Sequence, residues 1–207
     1  MQKPLTRKAL LEGVSELARI DDGLARIVSQ YGPPPLWIRA QGFPTLIHII
    51  LEQQVSLASA KAAYKRLIAR LTAITPGAFL KLSDDELKQI GFSRQKTRYG
   101  RELASALTSG SLDLSALSNL SNQEARHRLM QIKGIGPWTA DIYLVFALGR
   151  PDIWPDGDMA LAAAIQQLYG RSRRPSSKQM RRQSQKWRPW RAVAARLLWH
   201  YYLSERK

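Results

Sequence analysis

The sequence predicts an all-α protein, and three observations support that prediction. Apolar residues recur at helical spacing in almost every segment of the 207-residue chain. The alternation of apolar and polar residues that is typical of a half-buried strand is nearly absent. Serine, proline and glycine residues stand where such helices would begin and end. We therefore expect helices joined by turns, without a β-sheet.

In the first part of the chain, the apolar spacing predicts helices over residues 6–20, 22–31, 44–53, 56–72 and about 75–80. Gly32 and the prolines at 33–35 stop the second helix, because proline cannot continue a helix and pushes its predecessor out of the α region. Ser56 is a candidate N-cap of the fourth helix. The short fifth helix begins at Thr75-Pro76.

In the later part, the same spacing predicts helices over residues 83–91, 94–108, 122–131, 137–148, 158–169, 176–184 and 189–204. Ser83 is followed three residues later by Glu86, which is the pattern of a capping box at a helix start. Gly91 is the expected end of that helix.

The proline-rich segment 33–35 and the loop 149–157 are the predicted boundaries between two helical lobes. Lobe A is expected over about residues 43–149. Lobe B is expected to combine about residues 1–42 with 150–207. We expect a cleft between the lobes, and we treat residues 1–207 as one functional module.

The charge of the chain indicates a polyanionic partner. The sequence holds 32 Lys and Arg against 16 Asp and Glu, a net charge of +16 and a pI of about 10.6. Nucleic acid is the leading candidate. An anionic membrane is the second candidate. It is less well supported, because we find no lysine-rich amphipathic helix whose apolar face is not already expected to face the core. The surplus is concentrated in residues 171–207, which hold twelve Lys and Arg and a single acid, Glu205.

Several classes of protein are excluded by what the sequence lacks. There is no cysteine, so disulfides, cysteine-ligated iron–sulfur clusters and thiol catalysis are excluded. The N-terminus has no secretory apolar core, and no apolar run approaches the ~20 residues that span a bilayer. We therefore expect a cytoplasmic protein that has no membrane partner and that, in a bacterium, is located in the nucleoid. The three histidines have no metal-ligand spacing.

Residues 132–140, IKGIGPWTA, predict a turn that can grip phosphate. Gly134 and Gly136 leave the backbone bare, and Pro137 suits the first position of the next helix. The free N–H groups at that helix start form an anion site, and Lys133 lies beside it. A tight turn with glycines for steric reasons alone is the simpler interpretation. The surrounding apolar pattern favours a helix-hairpin-helix over residues 122–148, which binds phosphate without reading sequence.

A carboxylate follows the glycine turn of this hairpin by about twenty residues, in WPDGDMAL. Asp158 and Asp156 are both plausible N-caps for the helix that begins there, and taken alone that structural role is the commoner one. The order of a phosphate-binding hairpin, a helix, a loop and an aspartate favours a catalytic role for one of them.

That arrangement resembles the helix-hairpin-helix/Gly-Pro-Asp superfamily of base-excision DNA glycosylases, and within it the bacterial DNA-3-methyladenine glycosylase II type. The similar stretches are LEQQVSLASAKAAYKRL (51–67), IGFSRQKTRYGRELA (90–104), LMQIKGIGPWTADIYLVFALGRPDIWPDGDMAL (129–161) and WRPWRAVAARLLWHYY (187–202). The resemblance implies the helix-hairpin-helix DNA glycosylase fold. Members of this type often have an N-terminal β-rich domain, for which this chain is too short, so a compact form is expected.

The resemblance also implies roles for individual residues. Asp158 matches the catalytic aspartate, with Asp156 as the weaker candidate. Trp138 and Trp199 match aromatic walls of the base pocket. The DNA-binding positions implied are Gln53, Gln54, Ser56, Lys133, Gly134, Ile135, Gly136 and Thr139, with Gln54 where the family places a wedge that fills the gap in the duplex. The main-chain carbonyls of Met130, Ile132 and Gly134 are the implied ligands of a structural Na+ or K+.

The expected function is therefore monofunctional excision of alkylated purines, of the 3-methyladenine and 7-methylguanine type, from double-stranded DNA. Relatives that also cut the strand place a lysine at the start of the helix after the hairpin, where this chain has Trp138. No cofactor is required, and a monomer suffices. Two alternatives remain open: a non-catalytic DNA-binding module, and a glycosylase for deaminated or mismatched bases. The basic residues of the tail are expected along a DNA strand: Arg171, Arg173, Arg174, Lys178, Arg181 and Arg182.

Overall fold

The computed structural model describes residues 3–206, and it contains helices and no β-strand within that range. In chain order the α-helices are α1 (Arg7–Ile20), α2 (Asp22–Tyr31), α3 (Phe43–Glu52), α4 (Leu57–Arg70), α5 (Pro76–Leu80), α6 (Asp84–Ile90), α7 (Arg94–Thr108), α8 (Asn122–Met130), α9 (Pro137–Phe146), α10 (Met159–Leu168), α11 (Ser177–Ser184) and α12 (Arg191–Ser204). Two short 3₁₀ helices cover Ala116–Asn119 and Gln185–Trp187.

The predicted all-α class is confirmed, and the predicted helix ends lie within about two residues of those observed. Local capping explains this agreement. Ser56 accepts a hydrogen bond from the backbone N–H of Ser59 at the start of α4. Ser83 and Glu86 form the predicted capping box of α6. The two 3₁₀ helices were not predicted, because three or four residues are too few to show a helical period.

The chain divides into two compact units, which we call the central unit (residues 39–148) and the terminal unit (residues 3–38 with 149–206). In the central unit, α3 is the buried helix. Leu46, Ile47 and Ile50 are fully inaccessible to solvent, and α3 packs against α4, α7 and α9. This packing fixes the end of α3, where the helix gives way to the turn that precedes α4.

A tight contact between α5 and α7 completes the core of the central unit. Phe79 of α5 is fully buried and lies edge-on to Phe43 and Phe92. Its ring lies so close to Gly100 of α7 that a Cβ there would stand 2.6 Å from the ring. Gly100 is therefore required by the close approach of the two helices.

In the terminal unit, α12 is the buried helix, with every side chain from Ala192 to Trp199 in the core. It packs against α1, α2 and α10. Asp21, the N-cap of α2, is also buried and accepts hydrogen bonds from Tyr169 and Trp187. These contacts join the start of α2 to the end of α10 and to the 3₁₀ helix before α12. No described helix combines the length and the apolar character that a membrane span needs.

Candidate active site and nucleic-acid interface

The turn between α8 and α9, in the central unit, contains two glycines, and the fold requires the first of them, Gly134. Gly134 has φ of +94°, a conformation that other residues rarely adopt. A Cβ on Gly134 would also overlap the ring of Tyr99, which packs against the turn from α7. Gly134 is therefore explained by the fold alone, through backbone conformation and packing together.

The second glycine of the turn has no such structural reason. Gly136 has φ of −86° and ψ of −179°, which any residue adopts. A Cβ on Gly136 would meet nothing within 4 Å. It is the N-cap of α9, yet it supplies no capping side chain, and Pro137 follows at the first helical position. The backbone of this helix start is thus left open, as the approach of an anion requires.

The neighbouring residues divide between the interior and the surface. Thr139 is 2% exposed, so its side chain is not available to DNA. The group of Thr139 that is suited to binding phosphate is its backbone N–H, which lies in the first turn of α9. Ile135 is placed differently from the prediction of a DNA contact. Its side chain lies in the core, at 3% exposure, and its N–H already donates to the carbonyl of Ile132. Lys133 is exposed beside the turn.

Gln53 holds the end of α3 against this hairpin turn. Its side-chain nitrogen donates to the carbonyl of Gly134 and to the hydroxyl of Thr139, both at 2.9 Å. Both of its donors are therefore used within the chain, so the structure places the amide nitrogen of Gln53 as a brace of the turn instead of the predicted DNA contact. The ammonium group of Lys96 donates to the carbonyl of Leu51 at 2.7 Å. Burial lowers the pKa of Lys96.

The turn after Gln53 projects the predicted wedge. Gln54 is exposed and has φ of +55°, a left-handed conformation that is uncommon outside glycine. Its exposed neighbours include Val55 and Leu57. Ser56 is exposed as well, and its hydroxyl caps α4. Strain at an exposed turn is typical of functional positions, and it agrees with a side chain held out toward a ligand.

In the terminal unit, Asp158 is the N-cap of α10. Its Oδ1 accepts hydrogen bonds from the backbone N–H of Leu161 at 2.9 Å and from the indole Nε1 of Trp199 at 3.2 Å. The residue is 7% exposed. These two hydrogen bonds fix the position of Oδ1 at the start of α10. The structural role that the sequence suggested is therefore real, and it places a carboxylate at a fixed point.

Asp156 has different surroundings. Its carboxylate pairs with Arg181 of α11, with Oδ2 2.7 Å from Nη2. Asp156 is therefore held by an exposed arginine, whereas Asp158 is held by a backbone N–H and by the indole of Trp199.

The two tryptophans of the predicted base pocket lie in different units. Trp138 is the second residue of α9 in the central unit and is half-buried. Trp199 of α12 is 9% exposed, and its indole N–H donates to Asp158. The sequence did not suggest this hydrogen bond, because the two residues are 41 positions apart. Their role as aromatic walls stays a prediction.

The carbonyls predicted to hold a monovalent cation lie around the same hairpin turn. The Ile132 carbonyl accepts from the N–H of Ile135, and the Gly134 carbonyl accepts from Gln53. Each of these oxygens keeps a second lone pair. Met130 ends α8, where carbonyls have no helical partner. The donor set of main-chain oxygens therefore fits a hard cation such as Na+ or K+.

Comparisons with known proteins agree with this geometry. A family model of the HhH-GPD superfamily of base excision DNA repair proteins matches residues 47–189. The chain is 27% identical over 184 residues to YfjP of Bacillus subtilis (strain 168), a candidate DNA-3-methyladenine glycosylase. That match covers 85% of this chain and 64% of that protein, so the chain spans a little under two thirds of this relative's length.

Two solved structures share the fold over nearly their whole length. The 3-methyladenine DNA glycosylase of Schizosaccharomyces pombe, in complex with abasic DNA, is 25% identical with a TM-score of 0.85, covering 95% of this chain and 97% of that one. The DNA-3-methyladenine glycosidase of Bacillus halodurans is 29% identical with a TM-score of 0.75, covering 99% and 95%. The chain belongs to the HhH-GPD superfamily of base excision DNA repair proteins.

Proposed function

We propose that this protein is a monofunctional DNA glycosylase that removes alkylated purines, of the 3-methyladenine and 7-methylguanine type, from double-stranded DNA. The observation that supports the proposal most is the carboxylate of Asp158, fixed by the Leu161 N–H and the Trp199 indole. The relatives named as 3-methyladenine glycosylases support the same substrate class.

Binding to the duplex begins at the hairpin of the central unit. The open N-terminus of α9 at Gly136 receives a backbone phosphate through main-chain N–H groups, and Lys133 adds a charge beside it. This contact carries no sequence information, as a repair enzyme that meets damage at any position requires. Na+ or K+ held by the carbonyls of Met130, Ile132 and Gly134 would add positive charge on the same turn.

The target base must leave the stack before chemistry is feasible. Flipping a nucleotide costs a few kcal/mol, and least for a damaged or poorly paired base. Gln54, exposed on a strained turn, fills the gap that the flipped nucleotide leaves. A purine alkylated at N3 or N7 is cationic, and the faces of Trp138 and Trp199 are suited to it.

The reaction breaks the bond between C1′ of the sugar and the purine nitrogen. The bonding electrons leave with the cationic base, which becomes neutral, so little acid catalysis is needed. Positive charge develops on the sugar, and Asp158 stabilises it. A water molecule forms the new C1′–O bond and loses its proton to Asp158 or to solvent. The products are the free base and an abasic site. With Trp138 where strand-cutting relatives have lysine, no Schiff base forms.

Base release from methylated DNA tests this function. Purified protein is incubated with a duplex treated with a methylating agent, and free bases are measured by chromatography and mass spectrometry. We expect 3-methyladenine or 7-methylguanine to be released, strand breaks only after alkali treatment, and no borohydride-trapped complex. Binding without release from any lesion would favour the non-catalytic DNA-binding module. A trapped covalent complex would contradict the monofunctional reaction.

A further inference from the structure

Segment 171–188 of the terminal unit is the most uniformly basic stretch of the chain. It contains eight Lys and Arg residues and no Asp or Glu. It runs from the end of α10 through α11 to the 3₁₀ helix before α12. A solvated surface usually interleaves charges of both signs, and this one does not.

Half of these basic side chains have partners within the terminal unit. Arg181 pairs with Asp156, Lys186 with Asp21, and Arg188 approaches Asp152 at 3.7 Å. Arg171 donates to Gln183. The other four are exposed, and no ion pair joins them to an acidic side chain within residues 3–206. We call these four the basic surface: Arg173, Arg174, Lys178 and Arg182.

The helix that bears much of this surface is stabilised by its caps and not by its charges. Ser176 and Gln179 form a capping box at the start of α11. Lys178 and Arg182 stand four residues apart on the same face, where like charges repel. A concentrated charge without internal compensation is typical of a surface that meets a polyanion.

α11 is also tied to the loop that precedes Asp158. Arg181 contacts both carboxylate oxygens of Asp156, at 2.7 Å and 3.3 Å, two residues before Asp158. A polyanion on the basic surface therefore lies against the same part of the terminal unit that holds the candidate catalytic carboxylate.

We propose that the basic surface binds phosphates of the duplex flanking the nucleotide on which Asp158 acts. This identification of the polyanion rests on the proposed glycosylase function. The contact is independent of sequence, as is the phosphate site proposed at Gly136.

The test compares two triple variants of the full-length protein that remove equal charge. The first carries Arg174→Gln, Lys178→Gln and Arg182→Gln. The control carries Lys3→Gln, Lys8→Gln and Arg19→Gln, which are exposed residues of the same unit without ion pairs among the described acids. Affinity for undamaged duplex DNA is measured from about 50 to 200 mM salt, and thermal melting confirms that both variants fold.

A plot of the logarithm of the association constant against the logarithm of the salt concentration has a negative slope. We expect the magnitude of this slope to decrease by about 0.9 for each phosphate that the first variant no longer neutralises, and by less than about 0.9 in total in the control. Excision should stay at the wild-type rate in the control, whose three residues lie outside the basic surface. Equal slope changes in the two variants, or an unchanged slope in the first, would overturn the proposal. So would a first variant that fails to bind anionic lipid vesicles while its DNA slope is unchanged.

This measurement is independent of catalysis. If no lesion is excised by the wild-type protein but the slope difference persists, the glycosylase function fails and the basic surface remains a DNA contact. If excision is observed but the slopes agree, the basic surface fails and the proposed function stands.

Discussion

At the scale of single residues, the two glycines of the hairpin turn have different physical reasons. Gly134 has positive φ and packs against Tyr99, so the fold itself demands it. Gly136 has an ordinary conformation and open space where a side chain would stand. A position that the fold does not constrain, at a bare helix start in a protein with net charge +16, is best explained by an external anion.

This difference predicts opposite results for two alanine variants. Gly134→Ala should lower the free energy of unfolding by about 2 kcal/mol or more, because the added Cβ would strain the backbone and overlap the ring of Tyr99. Gly136→Ala should keep its free energy of unfolding within about 1 kcal/mol, because alanine is merely a poorer N-cap. It should nevertheless bind duplex DNA more weakly. Urea unfolding and fluorescence anisotropy measure the two effects. Wild-type affinity in folded Gly136→Ala would contradict phosphate binding at this turn.

The indole of Trp199 has two possible roles, stacking against a base through its ring face and positioning Asp158 through its N–H. Its N–H holds Oδ1 of Asp158, so the residue positions the candidate catalytic carboxylate. Stacking depends on the ring, and positioning depends on the N–H. Phenylalanine keeps an aromatic face and removes the N–H, so it separates the two roles.

Trp199→Phe should therefore lower the single-turnover rate of base release by roughly ten- to a hundredfold, since a hydrogen bond to a charged group contributes about 1.5–3 kcal/mol. Affinity for damaged DNA should change little. Trp190→Phe is the matched control, because the Trp190 indole donates to Glu16 in the same unit. An unchanged rate in Trp199→Phe would leave the residue as a packing or stacking group only.

At the scale of helices, the turn after α3 and the hairpin before α9 form one braced structure in the central unit. Gln53 bonds to the Gly134 carbonyl and the Thr139 hydroxyl across 81 and 86 positions. On α7, Lys96 holds the end of α3 and Tyr99 packs on the hairpin turn. This explains why the stretch IGFSRQKTRYGRELA accompanies the hairpin, although it offers no catalytic group.

Adjacent glutamines should then behave differently when truncated. Gln53→Ala should lower the free energy of unfolding by about 1–3 kcal/mol, because it leaves the Gly134 carbonyl and the Thr139 hydroxyl without this partner. Gln54→Ala should leave stability nearly unchanged, since the side chain is exposed. It should weaken binding to a duplex with an abasic site. Equal effects of both variants on stability and on binding would argue against separate roles for brace and wedge.

At the scale of the whole molecule, the sequence predicted the helices well because their signals are local. The Ser83–Glu86 box, Gly91 and Pro137 each act within one turn of the residues they affect. Contacts such as Gln53 with Gly134 and Trp199 with Asp158 have no local signal, so their partners could not be predicted. The family resemblance supplied Asp158 but not what holds it. The predicted cleft between the lobes stays a prediction.

Acid stability of the molecule should depend on Asp21. Burial raises the pKa of this carboxyl, but hydrogen bonds from Lys186, Tyr169 and Trp187 outweigh it, so the pKa lies below its ordinary 3.8. The native state thus releases this proton more readily than the unfolded chain. Its contribution is fully present above pH 3.8 and is lost as pH falls through the native pKa.

Asp21→Asn should therefore lower the free energy of unfolding by about 1–3 kcal/mol at pH 7, because one amide oxygen cannot serve the donors of two carboxylate oxygens. The deficit relative to wild type should shrink as pH falls below 3.8. Asp22→Asn, an exposed neighbour, is the control and should show no such trend. Urea unfolding from pH 7 to pH 3 gives the comparison. A deficit that is constant with pH would show that the charge of Asp21 is not the source.

The most direct test of the glycosylase proposal compares the two neighbouring aspartates. Single-turnover release of methylated purines is measured for Asp158→Asn and Asp156→Asn, with duplex affinity measured in parallel. Asp158→Asn should lose about 10²–10⁴-fold in rate without weaker binding, and Asp156→Asn should release base at the wild-type rate. Base release by Asp158→Asn at the wild-type rate would contradict a catalytic role for the carboxylate that caps α10.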